Sequence, residues 1–299
     1  MFASNDFPYA TKLLKNKFKD KYRILTPNTD KNLSKQVKNV DVIIPAMSKI
    51  NKEVIDSAEN LKLIVQWGVG LEGVNQEYAE SKNIKVTNTP GENSLSVAEH
   101  SLYLMFGLAR KQNELHKTFN TGKIGTPVGM ELNNKNLLII GLGSSGKELA
   151  KIGNGIGMNV KAIRKHPKKG GPTFVKKIGH TSDMDNLLPS ADFIALHLPL
   201  TKETRNLIDK DKLSKMKDTA YLVNVSRGPI INKKDLKKAL KSGEIAGAAL
   251  DVYWEEPPTP EDSLYNLDNI ITTPHIAGIT DEAYERIANR LKEIITEMV

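Results

Sequence analysis

Residues 136–150, Asn-Leu-Leu-Ile-Ile-Gly141-Leu-Gly143-Ser-Ser-Gly146-Lys-Glu-Leu-Ala, constrain the fold more than any other stretch of this 299-residue chain. An apolar run leads into a G-x-G-x-x-G turn and then a helix start. In such a turn Gly141 permits the tight bend, Gly143 lets backbone approach a pyrophosphate, and Gly146 allows close helix–strand packing. The pyrophosphate would rest on N–H groups at the positive end of the helix. The segment Gly141 to Lys147 also fits G-x-x-x-x-G-K, the phosphate loop of nucleoside triphosphatases. That loop needs Ser or Thr next to hold Mg²⁺, and Glu148 stands there, so dinucleotide binding is the preferred reading. A glycine turn without a ligand is the third.

The rest of the chain alternates short apolar runs with helix-like stretches on both sides of this turn. Before it, strands are expected at residues 1–3, 23–25, 41–44, 63–66 and 84–87, with helices at 9–19, 32–38, 52–58 and 75–81. A long helix is expected over 94–120, with Leu95, Ala98, Leu102, Met105 and Leu108 on one face. A glycine- and proline-bearing linker follows, with Gly122, Gly125, Pro127 and Gly129. A second series has expected strands at 137–140, 160–163, 193–196, 221–225, 247–250 and 270–273. It closes with an amphipathic helix over 282–298, carrying Ala283, Ile287, Leu291, Ile294 and Met298 on one side. Strands alternating with helices imply βαβ units, hence an α/β chain with two doubly wound parallel sheets.

Composition narrows the partners. The net charge is +8, but only seven of the 43 basic residues are arginine, and aromatic residues are 6% of the chain. The lysines are spread along its whole length without the aromatic interleaving that base stacking uses, so a solvated surface is expected and nucleic acid is not. With no cysteine there is neither a disulfide nor a thiolate nucleophile or metal ligand. No signal peptide and no membrane-spanning run is evident, so a cytoplasmic location is expected. The histidines show no metal-ligand spacing at His116, His166 or His180, and no metal is expected.

Seven short motifs in order resemble the D-isomer-specific 2-hydroxyacid dehydrogenase family over essentially the full length. They are Gln66-Trp-Gly-Val-Gly-Leu-Glu-Gly-Val74, Ser96-Val-Ala-Glu-His100, Gly141-Leu-Gly-Ser-Ser-Gly146, His197-Leu-Pro-Leu200, Val223-Asn-Val-Ser-Arg-Gly228, Ala249-Leu-Asp-Val-Tyr-Trp-Glu-Glu-Pro257 and Thr273-Pro-His-Ile-Ala-Gly278. The resemblance implies a Rossmann coenzyme domain, residues 94–278, inserted in a discontinuous flavodoxin-like substrate domain made of residues 1–93 and 279–299. It also implies a homodimer formed through the coenzyme domain, with the 94–120 segment as an interface element.

By the same resemblance the reaction interconverts a D-2-hydroxyacid and its 2-ketoacid by hydride transfer. His275 is then the general acid, Glu256 orients its imidazole and raises its pKa, and Arg227 holds the substrate carboxylate. Val69 and Gly70 are expected on the substrate side, and Trp67 either there or in an interface or core role. Coenzyme contacts are expected at Gly141, Gly143, Ser144, Ser145 and Gly146. Further ones are implied at His197, Pro199, Thr204, Val225, Ser226, Asp251 and Gly278, whereas His100 is read as structural.

The sequence departs from the NAD pattern in one place. An acidic residue about 20 positions beyond the glycine turn usually takes the ribose 2′-hydroxyl. Here that place reads Arg164-Lys165-His166, so a 2′-phosphate and NADP(H) are favoured, with NAD(H) the alternative. A glyoxylate or hydroxypyruvate type of reductase is expected, with 3-phosphoglycerate dehydrogenase as the alternative. From another class, a non-catalytic NAD(P)-sensing protein of the corepressor type shares the fold. Formate dehydrogenases of the family carry Gln where this chain has Glu256.

Overall fold

Period-2 alternation within the short strands divides each sheet into two apolar faces, and this organises the computed structural model, which describes residues 1–28 and 32–299 apart from the side chain of His116. Two compact units are present, one made of Met1–Asn93 with Ile279–Val299 and the other of Ser94–Gly278.

The first unit contains β1 (Phe2–Ala3), α1 (Pro8–Phe18), β2 (Val42–Pro45), α2 (Lys52–Ser57), β3 (Leu63–Gln66), α3 (Gln76–Ser81) and β4 (Lys85–Asn88). Its strands are parallel in the order β1-β2-β3-β4. The expected strand at 23–25 forms no ladder. Its Leu25 carbonyl accepts the N–H of Phe2 at 2.9 Å, and so the segment lies along the outer edge of β1. That placement gives the flavodoxin-like order, with the second extended segment outside the first. The helix expected at 32–38 is a single tight turn, Leu33–Gln36, capped by the Asn32 side chain.

The second unit opens with α4 (Ser94–Ala109) and α5 (Gln112–Asn120), where one continuous helix was expected. The break is at Lys111, whose φ of 54° is left-handed, and the Ala109 carbonyl turns to accept the N–H of Met130 at 2.9 Å. The unit continues through β5 (Asn136–Ile140), α6 (Ser144–Gly155), β6 (Asn159–Ile163), β7 (Lys177–Gly179), α7 (Met184–Leu187), β8 (Phe193–Leu196), α8 (Lys210–Leu213), β9 (Tyr221–Asn224), α9 (Lys233–Ser242), β10 (Gly247–Leu250) and β11 (Ile270–Thr272). Seven parallel strands run β11-β10-β9-β8-β5-β6-β7. The chain proceeds one way from β5 to β7 and the other way from β8 to β11, so the order reverses between β5 and β8. Ligands of open parallel sheets bind beyond the strand ends at such a reversal.

Leu138, Ile140, Ile194, Leu196, Leu222 and Leu250 face one core, with Leu213 of α8 and Leu236 of α9. Their neighbours Leu137, Ile139, Phe193, Ala195, Val223 and Ala249 face another, with Leu104 and Met105 of α4 and Leu149 of α6. The buried face of α4 matches the expected one at Ala98, Met105 and Leu108 but not at Leu95. It presents Ser96, Ala98, Ser101, Leu104, Met105 and Leu108, and the small residues let α4 lie close against α6, whereas Leu95 is exposed.

The chain then returns to the first unit as α10 (Asp281–Met298), whose first turn is capped by the Thr280 hydroxyl accepting the N–H of Ala283. Ala283, Tyr284, Ile287, Ala288, Leu291, Ile294 and Ile295 are buried, in one core with Ala10, Leu14 and Phe18 of α1. Met298 is exposed at the end of the helix.

Candidate active site and dinucleotide cradle

Because every strand of the larger sheet is parallel, the carboxyl ends of β5, β6, β8, β9, β10 and β11 share one edge. The glycine turn at the end of β5 is shaped by its neighbour β8. Gly141 has φ 107°, and a Cβ there would stand 2.1 Å from the His197 carbonyl oxygen. A Cβ at Gly146 would stand 2.0 Å from the Gly141 carbonyl oxygen, so α6 can approach the turn only without one. At Gly143 a Cβ would meet nothing within 4 Å, and no side chain caps the first turn of α6. Two glycines are thus required by packing, and the third leaves open space at a helix N-terminus. That is the arrangement a dinucleotide pyrophosphate needs.

His197 sits at the end of β8 with its imidazole buried between two hydroxyls. Its Nδ1 lies 3.0 Å from Ser145 Oγ of α6 and its Nε2 lies 3.2 Å from Ser101 Oγ of α4. Burial pushes its pKa down to about 4, so at neutral pH the ring is uncharged and ties the cradle helix to its neighbour. Pro199 and Thr204 shape the following loop, where the Thr204 hydroxyl donates to the Pro199 carbonyl at 2.7 Å. Arg164 stands at the end of β6 and spends one guanidinium N–H on the Gly170 carbonyl at 2.7 Å, while Lys165 beside it is exposed.

At the end of β9 an asparagine not anticipated from the sequence shapes the turn that carries Arg227. Asn224 is fully buried; its side-chain oxygen accepts the N–H of Ser226 and its amide donates to the Arg227 carbonyl at 2.9 Å. The Ser226 hydroxyl donates to Leu196 O at 2.6 Å and accepts the N–H of Leu198, stitching the turn to β8; Val225 is buried beside it. The next residue, Gly228, lies so close that a Cβ would stand 2.1 Å from the Tyr253 carbonyl carbon. The strand-end segments holding Arg227 and Glu256 are therefore packed backbone against backbone.

Glu256 and His275 meet directly. His275 Nδ1 lies 2.8 Å from Glu256 Oε2, and Glu256 Oε1 accepts the N–H of Tyr253 at 3.1 Å. Burial works against the charge of Glu256, but the hydrogen bond and positive charge of His275, the Tyr253 N–H and the nearby charge of Arg227 outweigh it, and the carboxyl is held below its ordinary range. His275 has φ 55°, a left-handed conformation that costs a non-glycine residue about 1 kcal/mol or more.

Asp251 differs from expectation, and Trp67 takes the core role of its two expected readings. Expected among the coenzyme contacts, the Asp251 carboxylate is 0% exposed and is given wholly to the chain. It accepts from Thr273 Oγ1 at 2.6 Å, Ile276 N at 2.9 Å and Ala277 N at 2.8 Å. Burial opposes its ionisation, yet the hydrogen bonds of His100 and Thr273 and of the two N–H groups keep its pKa low. Gly278 ends this turn and the unit. Trp67 is not an open pocket wall: in the first unit its ring packs edge-on against Phe2 at 5.5 Å and Tyr284 at 5.3 Å. Val69 and Gly70 follow β3 in that unit, where Val69 is exposed and its carbonyl accepts from the Asn88 side chain at 2.7 Å.

Residues 102–277 match the sequence profile of the D-isomer specific 2-hydroxyacid dehydrogenase NAD binding domain. The chain is 40% identical to D-3-phosphoglycerate dehydrogenase of Archaeoglobus fulgidus over 86% of its own length and 49% of the relative, and so spans about half of that protein. It is 37% identical to hydroxypyruvate reductase of Thermotoga maritima over 96% of this chain and 93% of the relative. Among solved structures it resembles D-lactate dehydrogenase of Aquifex aeolicus complexed with NAD and lactic acid. There the TM-score is 0.83 at 28% identity, with 99% of this chain and 93% of that one covered.

The buried imidazole of His197 makes stability depend on pH. Its folded pKa of about 4 lies below the unfolded value of 6.5, so between the two the unfolded chain binds the extra proton. Stability is therefore complete above pH ~6.5 and is lost as pH falls toward ~4, by about 3 kcal/mol in all. Urea midpoints measured from pH 7 to 4 should fall more steeply in the parent than in His197→Asn. Equal slopes would show that His197 is not the group responsible.

Proposed function

Because the chain belongs to the D-isomer-specific 2-hydroxyacid dehydrogenases, a family of oxidoreductases, we propose that it interconverts a D-2-hydroxyacid and its 2-ketoacid by hydride transfer, working as a reductase of the glyoxylate or hydroxypyruvate type. The observation that carries this reading is the His275–Glu256 pair at 2.8 Å, on the strand edge shared with Arg227 and the glycine cradle.

A bound nicotinamide coenzyme supplies the hydride to the carbonyl carbon, or takes it in the reverse direction. The backbone at Gly143, Ser144 and Ser145 would hold its pyrophosphate. The chain's own residues handle charge and protons. As the carbonyl oxygen gains negative charge, His275 Nε2 delivers a proton to it, forming the hydroxyl. Glu256 keeps Nδ1 occupied, so the ring presents Nε2 and no other nitrogen, and the carboxylate stabilises the imidazolium that precedes transfer. Arg227 pairs through its planar fork with the substrate carboxylate and polarises the adjacent carbonyl.

NADP(H) is the favoured coenzyme on the same reasoning. Arg164 and Lys165 stand at the end of β6, where a ribose-binding carboxylate would otherwise be, and the bond from Arg164 to the Gly170 carbonyl pre-orders its guanidinium for a 2′-phosphate. A homodimer is supported by a run of exposed apolar side chains on α4, α5 and the linker after them. Tyr103 and Phe106 are partly uncovered, Phe119 is 80% exposed, Ile124 98% and Val128 78%. Apolar surface of this kind is ordinarily covered by a partner, and a second copy of the same face meets it symmetrically.

Oxidation of NADPH should be observed with glyoxylate or hydroxypyruvate in a panel of 2-ketoacids, and His275→Ala should lower kcat by about 10²–10⁴-fold. Turnover confined to 3-phosphoglycerate oxidation would select the alternative substrate, and no turnover at all would favour a nucleotide-sensing role. The parent should show a higher kcat/KM with NADPH than with NADH, by about tenfold or more for one charge-assisted contact, and Arg164→Asp should flatten or reverse it. Equal use of both coenzymes by the parent would defeat that assignment. Sedimentation should give a dimer, and Phe119→Asp a monomer; a monomeric parent would remove the dimer.

A further inference from the structure

Two residues before His275, the chain is pinned by a hydrogen-bond relay that begins on a different element. Thr273 Oγ1 lies 2.6 Å from Asp251 Oδ1. An ionised carboxylate can only accept, so the single hydroxyl proton of Thr273 goes to Asp251. His100 Nε2, projecting from α4, lies 3.0 Å from the same Thr273 oxygen and 3.5 Å from Asp251 Oδ1. With the threonine proton already committed, the bond between them requires His100 to be the donor. Its Nε2 therefore carries hydrogen, and the tautomer follows from the network.

The same carboxylate also accepts the N–H of Ile276 on Oδ1 and that of Ala277 on Oδ2. Asp251 thus grips the chain at 273, 276 and 277, on both sides of His275. Thr273 is held at its other atoms as well: its N–H donates to Leu250 O at 3.0 Å and its carbonyl accepts from the Tyr253 hydroxyl at 2.8 Å. Between these anchors His275 keeps a left-handed backbone at φ 55°, and its ring meets Glu256 at 2.8 Å. A strained conformation persists where the surroundings over-determine it.

We propose that His100 is a positioning residue for His275: its Nε2–H fixes the Thr273 hydroxyl and the Asp251 carboxylate, which together hold the left-handed turn that presents the imidazole. This rests on the reading of His275 as the proton donor. His100 touches neither substrate nor coenzyme in this role; it acts through the loop. Removing its donor leaves the Thr273 oxygen without its partner on that side and loosens one end of the clamp. The pairing of His275 with Glu256 then loses alignment, and the cradle at Gly141–Gly146, tied separately to α4 through Ser101 and His197, does not.

The test compares His100→Leu, which removes the donor, with His100→Gln, whose side-chain amide can return an N–H to the same place. Three readouts are needed: kcat, KM for the coenzyme, and hydrogen exchange at the Ile276 and Ala277 amides. His100→Leu should lose about 10–100-fold in kcat, the scale of a small misplacement of a reacting group, with coenzyme KM within about twofold of the parent. It should also exchange faster at both amides, and His100→Gln should recover kcat and protection together. Parental kcat and protection in His100→Leu would overturn the proposal. So would a parallel loss of coenzyme binding, or a glutamine variant as impaired as the leucine one. His275→Ala in the same assay separates the two readings. If it turns over like the parent, the assignment of His275 as proton donor fails, while amide exchange in the His100 variants still decides whether His100 holds the turn.

Discussion

The parallel ladder of the larger sheet is the constraint on which the site depends. When all seven strands point one way, residues scattered from Gly141 to His275 arrive at one edge without any contact between them in sequence. The ladder alone brings only backbone there. What converts the edge into a site is a second set of constraints at the strand ends, made by buried polar side chains bonded to main-chain groups or to neighbouring hydroxyls. Asn224 shapes the turn after β9, Asp251 the turn after β11, and His197 the junction of β8 with the glycine turn.

The two carboxylates that follow β10 show how environment divides labour between like groups. Both are held ionised against the cost of burial, but by different donors. Asp251 is enclosed and bonded to a hydroxyl and two backbone N–H groups, so its charge is spent on conformation. Glu256 is only partly buried and has one oxygen on a backbone N–H and the other on an imidazole, so its charge remains available to a group that exchanges protons. Four residues separate them, and the close approach of Gly228 to Tyr253 fixes the segment between.

How much of this was legible in the sequence follows from what each element needs. The central strands of the larger sheet are buried on both faces, so runs such as 137–140 and 193–196 stand out as apolar blocks. β7 offers only Lys177, Ile178 and Gly179 at the sheet edge and has no such mark. The 94–120 segment keeps helical spacing through Lys111, and its break depends on where the Ala109 carbonyl finds a partner, which no local pattern records. The buried face of α4 is only partly legible, because Ser96 and Ser101 lie on it beside Leu104, Met105 and Leu108 while Leu95 is exposed. His275, Glu256 and Arg227 were legible as motif members. The roles of Asn224 and Thr273 were not, since a polar residue at a strand end reads alike whether it meets a ligand or the chain.

This ambiguity has a physical basis that reaches beyond single residues. A parallel sheet leaves its carboxyl-end loops without ladder partners, so their N–H and carbonyl groups must be satisfied by side chains or by a ligand. The polar residues that build a binding edge and those that bind are therefore drawn from the same short list and occupy the same strand ends. Burial separates them. The carboxylate of Asp251 has no exposure and both its oxygens are committed to the chain, whereas the backbone beside Gly143 faces open space at an uncapped helix start. An edge of this kind needs both classes in one place, because a ligand group is held only as firmly as the loop behind it.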